Sequence, residues 1–135
     1  MSVRVARRYS FPAAHRLHST QLSDAENRAM YGKCNNPLGH GHNYEVVVVV
    51  KGTVDSVTGR AVDLVRLDQL AEEQFLKPFR YRDLNREMAV IPTTENLAVE
   101  IERRLSAAWP AGFPALDKIR ILETERNICE IGYEL

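Results

Sequence analysis

The chain has 135 residues, 44% of them hydrophobic and 27% charged, with 18 Lys and Arg balanced by 18 Asp and Glu to a formal net charge of zero. That length suits one domain able to bury a core without staples, so residues 1–135 are read as a single domain. The neutral balance lacks the basic surplus of a nucleic-acid binder, and the longest apolar run, Val46 to Val50, is far too short to span a bilayer. Met1 to Arg8 contains no apolar signal core. Two cysteines, Cys34 and Cys129, are too few for a disulfide framework. The expectation is a reduced, cytoplasmic protein with neither a membrane nor a nucleic-acid partner.

A first strand is expected from Ser2 to Leu17, with Val3, Val5 and Phe11 set among Arg4, Arg7 and Arg8. The polar stretch from His18 to Tyr31 reads as a loop with a helical turn near Asp24 to Met30. A second strand follows from His40 to Val54, and its centre, Tyr44 to Val50, is rich in β-branched residues. Five consecutive valines do not alternate, which predicts cover on both faces. A helix layer would supply one cover, and a second sheet or a partner subunit the other. Asp55 to Gly59 is a turn. The spacing of Leu67, Leu70, Ala71 and Phe75 predicts a helix from Val65 to Phe75, capped by Asp63 and ended by Pro78. Phe79 to Pro92 reads as a loop. A second helix begins after Thr93-Thr94, with Glu95 where the helix dipole favours a negative charge. Leu97, Ile101, Leu105 and Ala108 form its apolar stripe. Strands from Lys118 to Glu125 and from Asn127 to Leu135 close the chain. The order ββααββ predicts an α+β fold, an antiparallel sheet with its helices on one face.

His15, His40 and His42 carry the chemistry of this sequence, with Cys34 just ahead of the last two. Catalytic zinc is usually held by three protein ligands with a fourth position open. On an extended segment His40 and His42 point to the same side, so His15 must come from a neighbouring segment. Asn36-Pro37-Leu38-Gly39 can turn the chain so that Cys34 lies near the metal without necessarily binding it. Three imidazoles also accept iron, nickel or copper. Cys129, in a terminal strand with no histidine nearby in sequence, reads as core packing.

Phe11-x-x-x-His15-Arg16-Leu17, then Tyr31-Gly32-Lys33-Cys34-Asn35-Asn36-Pro37-Leu38-Gly39-His40-Gly41-His42-Asn43-Tyr44, stand in order with Pro92-Thr93-Thr94-Glu95-Asn96 and Leu122-Glu123-Thr124-Glu125-Arg126-Asn127. Over nearly the whole chain this set closely resembles the 6-pyruvoyl-tetrahydropterin synthase family. The resemblance implies the T-fold, a four-stranded antiparallel sheet with two helices on one face. It also implies a homo-oligomeric β-barrel, typically a hexamer built as a dimer of trimers. By the same resemblance His15, His40 and His42 bind Zn²⁺, Cys34 is the catalytic cysteine, and Glu123 anchors a pterin. Thr93, Thr94 and Glu95 fall where the family lines the pterin pocket. The implied reaction is a lyase step that converts 7,8-dihydroneopterin triphosphate to 6-pyruvoyl-tetrahydropterin with loss of triphosphate and no nucleotide cofactor. The chemistry is coherent. A divalent ion polarises side-chain oxygens, a thiolate near a dication has a depressed pKa, and a carboxylate accepts two N–H bonds from the 2-amino-pyrimidinone edge.

One stretch departs from the family pattern. Where the family has an Asp-His pair after the first helix, this chain has Arg80-Tyr81. Arg80 pointing into the site would stabilise a Cys34 thiolate or grip a phosphate, and Tyr81 would serve as a general acid. Asp83 and His18 are further substitutes for the missing relay. The alternatives are a 6-carboxy-tetrahydropterin synthase acting on the same substrate, whose usual cysteine-to-histidine spacing is shorter, and a non-catalytic T-fold protein that binds a pterin or purine-like ring through Glu123.

Overall fold

Strands β1 (Ser2–His15) and β2 (His40–Thr53) run antiparallel along their full lengths, from Ser2 opposite Thr53 to His15 opposite His40. The computed structural model describes residues 1–132. Strand β4 (Ala115–Leu122) pairs with the other edge of β2, with a register shift between Val49 and Val50, and β5 (Ile128–Gly132) follows beside β4. These four antiparallel strands are the expected ones with different ends: β1 stops at His15 rather than Leu17, and β4 starts at Ala115 and ends at Leu122 where Lys118 to Glu125 was expected. The expected end of the last strand, Leu135, lies outside the described residues.

The sheet has five strands, not four. A two-residue strand, β3 (Arg82–Asp83), adds in parallel to β1 at Ala13 and Ala14, giving the order β3-β1-β2-β4-β5. It arises inside the expected loop from Phe79 to Pro92, because tertiary pairing fixes what local sequence does not. The Tyr81 N–H donates to the Pro12 carbonyl at 2.7 Å, and Tyr81 takes a left-handed φ of 58°. The Asp83 side chain then caps a short helix, α4 (Leu84–Glu87).

The first expected loop also carries a helix, α1 (Asp24–Tyr31), set by a capping box in which Ser23 and Glu26 exchange side-chain bonds to each other's backbone. Helix α2 (Leu64–Ala71) starts at the Asp63 cap and runs through a π turn (Glu72–Leu76) into a last turn, α3 (Lys77–Phe79). The widening has a cause. Pro78 has no N–H, and its ring excludes a tight approach to the Gln74 carbonyl. Arg104, from helix α5 (Thr94–Ala108), donates to that Gln74 carbonyl at 3.5 Å and lays its guanidinium 4.5 Å from the Phe79 ring centre.

Helices α2 and α5 cover one face of the sheet. The core joins Phe11, Tyr44, Val46, Val48, Val50, Ile119 and Ile121 to Leu67, Leu70, Phe75, Leu97, Ile101 and Leu105. Phe11 stacks on Tyr44 with ring centres 5.4 Å apart. The valine run divides by pleat: Val46, Val48 and Val50 enter this core, while Val47 faces away. Within the chain the second face is covered by charged side chains rather than by a second sheet. Val47 lies between Arg8 and Arg120 on the flanking strands, whose partners are Glu45 and Glu130, and it is buried to 9% exposure beneath them.

Candidate active site

The register of β1 against β2 builds the histidine cluster. His15 lies directly opposite His40, and His42 is the diagonal neighbour, so all three side chains rise from the helix-covered face. Their ring centres are 4.7–5.0 Å apart. The Nε2 atoms converge, 3.3 Å between His15 and His40 and 2.9 Å between His40 and His42. Ligands about 2.0–2.1 Å from a tetrahedral zinc are separated by about 3.3 Å, so this spacing fits a shared ion.

The tautomer fits as well. His15 is buried, and its Nδ1–H donates to the Pro92 carbonyl at 3.0 Å, with the Tyr44 hydroxyl oxygen also 3.0 Å from that nitrogen. A ring that donates from Nδ1 presents its Nε2 lone pair to a cation. Burial lowers the pKa of His15 and of His42, which favours the neutral, ligating form. Zinc or another divalent ion therefore suits His15, His40 and His42 on donor chemistry.

Two further groups flank the rings. Cys34 sits in a 3₁₀ turn (Gly32–Asn35), with its Sγ 3.5 Å from the His40 Nε2. The turn is tied down by the Leu17 N–H, which donates to the Cys34 carbonyl at 2.7 Å, and by Asn35, whose Nδ2 donates to the Leu17 carbonyl and to the His18 Nδ1. Without a cation, burial pushes the Cys34 thiol up, aided by the charge of Glu123 and opposed by Lys33. Glu123, buried just beyond β4, places Oε1 3.4 Å from the His42 Nε2. Its Oε2 accepts the Thr94 hydroxyl at 2.6 Å, and Thr94 accepts from the Asn127 Nδ2 at 3.1 Å. The ligand-capable atoms of His15, Cys34 and His40 lie within 4.8 Å of one another, as do those of His15, His42 and Glu123.

The remaining sequence candidates divide. Thr93 is the N-cap of α5, accepting from the Asn96 N–H at 3.1 Å, and Glu95 is exposed in the first turn. Arg80 does not reach the histidines: it grips Glu72 through two bonds of 2.8 and 3.0 Å. Tyr81 is 81% exposed. Asp83 is spent on capping α4, and His18 accepts from Asn35 in the cysteine turn. Tyr44, Asn127 and the Pro92 carbonyl belong to the site and were not among the expected residues. Period two from His40 and His42 points to Tyr44, and the last residue of the Glu123-to-Asn127 motif is Asn127. The Pro92 contact is made by backbone and leaves no side-chain signature.

An open sheet with helices on one face, and an imidazole trio at its strand ends, give this chain a T-fold architecture with a candidate metal site. The 6-pyruvoyl tetrahydropterin synthase family model matches residues 4–134. The 6-pyruvoyl tetrahydrobiopterin synthases of Poecilia reticulata and Homo sapiens are 48% and 45% identical over 128 residues, spanning 92% of this chain and 86% and 87% of theirs. The solved Caenorhabditis elegans 6-pyruvoyl tetrahydropterin synthase superimposes with a TM-score of 0.89 at 37% identity, covering 98% of this chain and 96% of that one. A Plasmodium vivax structure at 13% identity and a TM-score of 0.71 shares the fold. The chain belongs to the 6-pyruvoyl tetrahydropterin synthase family. Among the described residues no helix is long and apolar enough to cross a membrane.

Proposed function

We propose that this chain is a zinc-dependent 6-pyruvoyl-tetrahydropterin synthase that converts 7,8-dihydroneopterin triphosphate with loss of triphosphate. The observation that carries the reading is the placement of Cys34 beside His40 and of Glu123 beside His42 in one cluster with His15. His15, His40 and His42 would hold a divalent ion, which when bound would supply Lewis-acid polarisation of the substrate's side-chain oxygens. Glu123 accepts N–H bonds from the pterin edge and fixes the ring, and Thr94 and Asn127 hold that carboxylate in register. Cys34 takes and returns protons at the carbons of the side chain. Redox equivalents move within the substrate, so no external oxidant or reductant is required. The protein acts as a homohexamer, whose subunits join through the free edge of β1 before Ala13 and the outer edge of β5.

The engagement of Arg80 with Glu72 and the exposure of Tyr81 favour a second reading, a slow or silent pterin binder without a proton relay beside Cys34. The test is to incubate zinc-loaded protein with 7,8-dihydroneopterin triphosphate and identify products by mass spectrometry. Release of inorganic triphosphate, abolished by chelator and by Cys34→Ala, supports the synthase. A pterin complex without product, unaffected by Cys34→Ser, supports the binder. Removal of a relay group commonly costs about 10²–10⁴ in rate, so slow turnover still counts as catalysis.

A further inference from the structure

Beside the cysteine turn lies a cavity of about 350 Å³ lined by Arg16, Arg28, Lys33, Gly32 and Asn36, with Asp24 the one carboxylate at its rim. We propose that this cavity is a polyphosphate subsite that receives the phosphate tail of the substrate and holds the inorganic triphosphate after release. The inference rests on the function proposed above and adds the residues that grip the leaving group.

Charge is the first argument. Eight arginines elsewhere in the structure, among them Arg4, Arg7, Arg8, Arg80 and Arg104, are in ion pairs. Arg16, Arg28 and Lys33 have no ion-pair partner within 4.0 Å among the described residues, even with Asp24 on the same cavity and one helical turn before Arg28. Helix-dipole compensation explains a cation at Arg28 but not at Arg16 or Lys33, which lie outside that helix. Three cations left uncompensated on one concave surface attract a multiply charged anion.

Preorganisation is the second. Arg16 is fixed at both ends: the Asn85 amide bonds its backbone N–H and carbonyl at 2.6 and 2.8 Å, and its Nε donates to the Asn35 carbonyl at 3.1 Å. Its two terminal nitrogens are left as a fork, the geometry that suits a phosphate oxygen pair. Position is the third. Arg16 follows His15 and Lys33 precedes Cys34 in sequence, and the Leu17-to-Cys34 backbone bond joins the two segments. Lys33 and Asn35, on either side of Cys34, both line the cavity, so the cysteine turn is shared between it and the histidine cluster. The neighbouring cavity of similar size pairs Arg16 with Asp83 and so offers no such surplus.

Arg28 and Lys33 are exposed, so their removal spares the fold. The experiment titrates inorganic triphosphate into the zinc-loaded, full-length protein by calorimetry, for wild type, for an Arg28→Ala/Lys33→Ala double variant, and for Arg60→Ala as a charge control. Unphosphorylated 7,8-dihydroneopterin is titrated in parallel. The expected result is triphosphate binding weakened about tenfold or more in the double variant, with Arg60→Ala and the unphosphorylated pterin unaffected. The KM for the phosphorylated substrate rises in step. Wild-type protein that does not bind triphosphate overturns the proposal. So does a double variant that binds it as wild type does, which places the anion on the metal. If wild type turns over substrate and the double variant keeps its KM, the subsite fails and the synthase stands. If triphosphate binding depends on these residues but no product forms, the subsite stands and the synthase fails.

Discussion

Thr94 shows how one hydroxyl sets the site. It donates to Glu123 and accepts from Asn127, so it links helix α5, the end of β4 and the turn before β5 through a single oxygen. Thr94→Val keeps the shape and deletes both bonds, leaving a buried carboxylate one donor short. Such a loss costs about 1–3 kcal/mol, and pterin affinity by fluorescence titration should fall about tenfold while zinc content is unchanged. Unchanged affinity would show that Glu123 is positioned without Thr94. This part of the site was partly legible in the sequence. Glu123 and Thr94 stand in motifs, and the His40-Gly41-His42 period places Tyr44 on the same face as the rings. The Pro92 carbonyl on His15 was not legible, because it joins residues 77 apart through a backbone atom that any amino acid offers.

At the scale of elements, the long strands and the two covering helices were readable because their periodicities run for many residues. The π turn, β3 and α4 were not. Strand β3 exists because of tertiary partners, Pro12 on the Tyr81 N–H and β1 beside Arg82, while the π turn ahead of Pro78 and α4 behind the Asp83 cap are single turns, too short to show a period. Ser23 and Glu26 of the α1 capping box did stand in the sequence at the expected spacing. Arg104→Ala should destabilise the fold by about 1–3 kcal/mol in urea unfolding, since it removes both a carbonyl partner and a cation over Phe79, and it should leave metal binding intact. A second tie joins β1 to α2. Arg7 makes two bonds to Asp68, which also accepts from the Tyr9 hydroxyl. Hydrogen bonding to Arg7 holds the Asp68 carboxyl below the usual aspartate value. Its contribution is fully present above the ordinary aspartate pKa, about 3.9, and disappears as pH falls through the depressed value. Asp68→Asn should thus flatten the acid limb of stability below about pH 4, and an unaltered limb would assign acid sensitivity to other carboxylates.

For the whole molecule, the open sheet is the main fact. β1 pairs with β3 only at Ala13 and Ala14, and β5 has no outer neighbour among the described residues, so both edges present unpaired backbone groups. The helix-free face carries Arg8, Glu45, Arg120 and Glu130 in ion pairs, the polar lining expected of a wet barrel interior rather than of a dry interface. Light scattering on the purified protein should give a mass near six times 15.4 kDa, and a monomer would remove the barrel from the account. The metal centre is more decisive still, since the proposed chemistry depends on it. X-ray absorption at the zinc edge of protein loaded with one equivalent and passed through gel filtration reads that centre directly. The account predicts retained zinc with three imidazole nitrogens at about 2.0–2.1 Å, reduced to two in His42→Ala. Zinc lost on the column, or a shell with fewer than three imidazoles in the wild type, would contradict it.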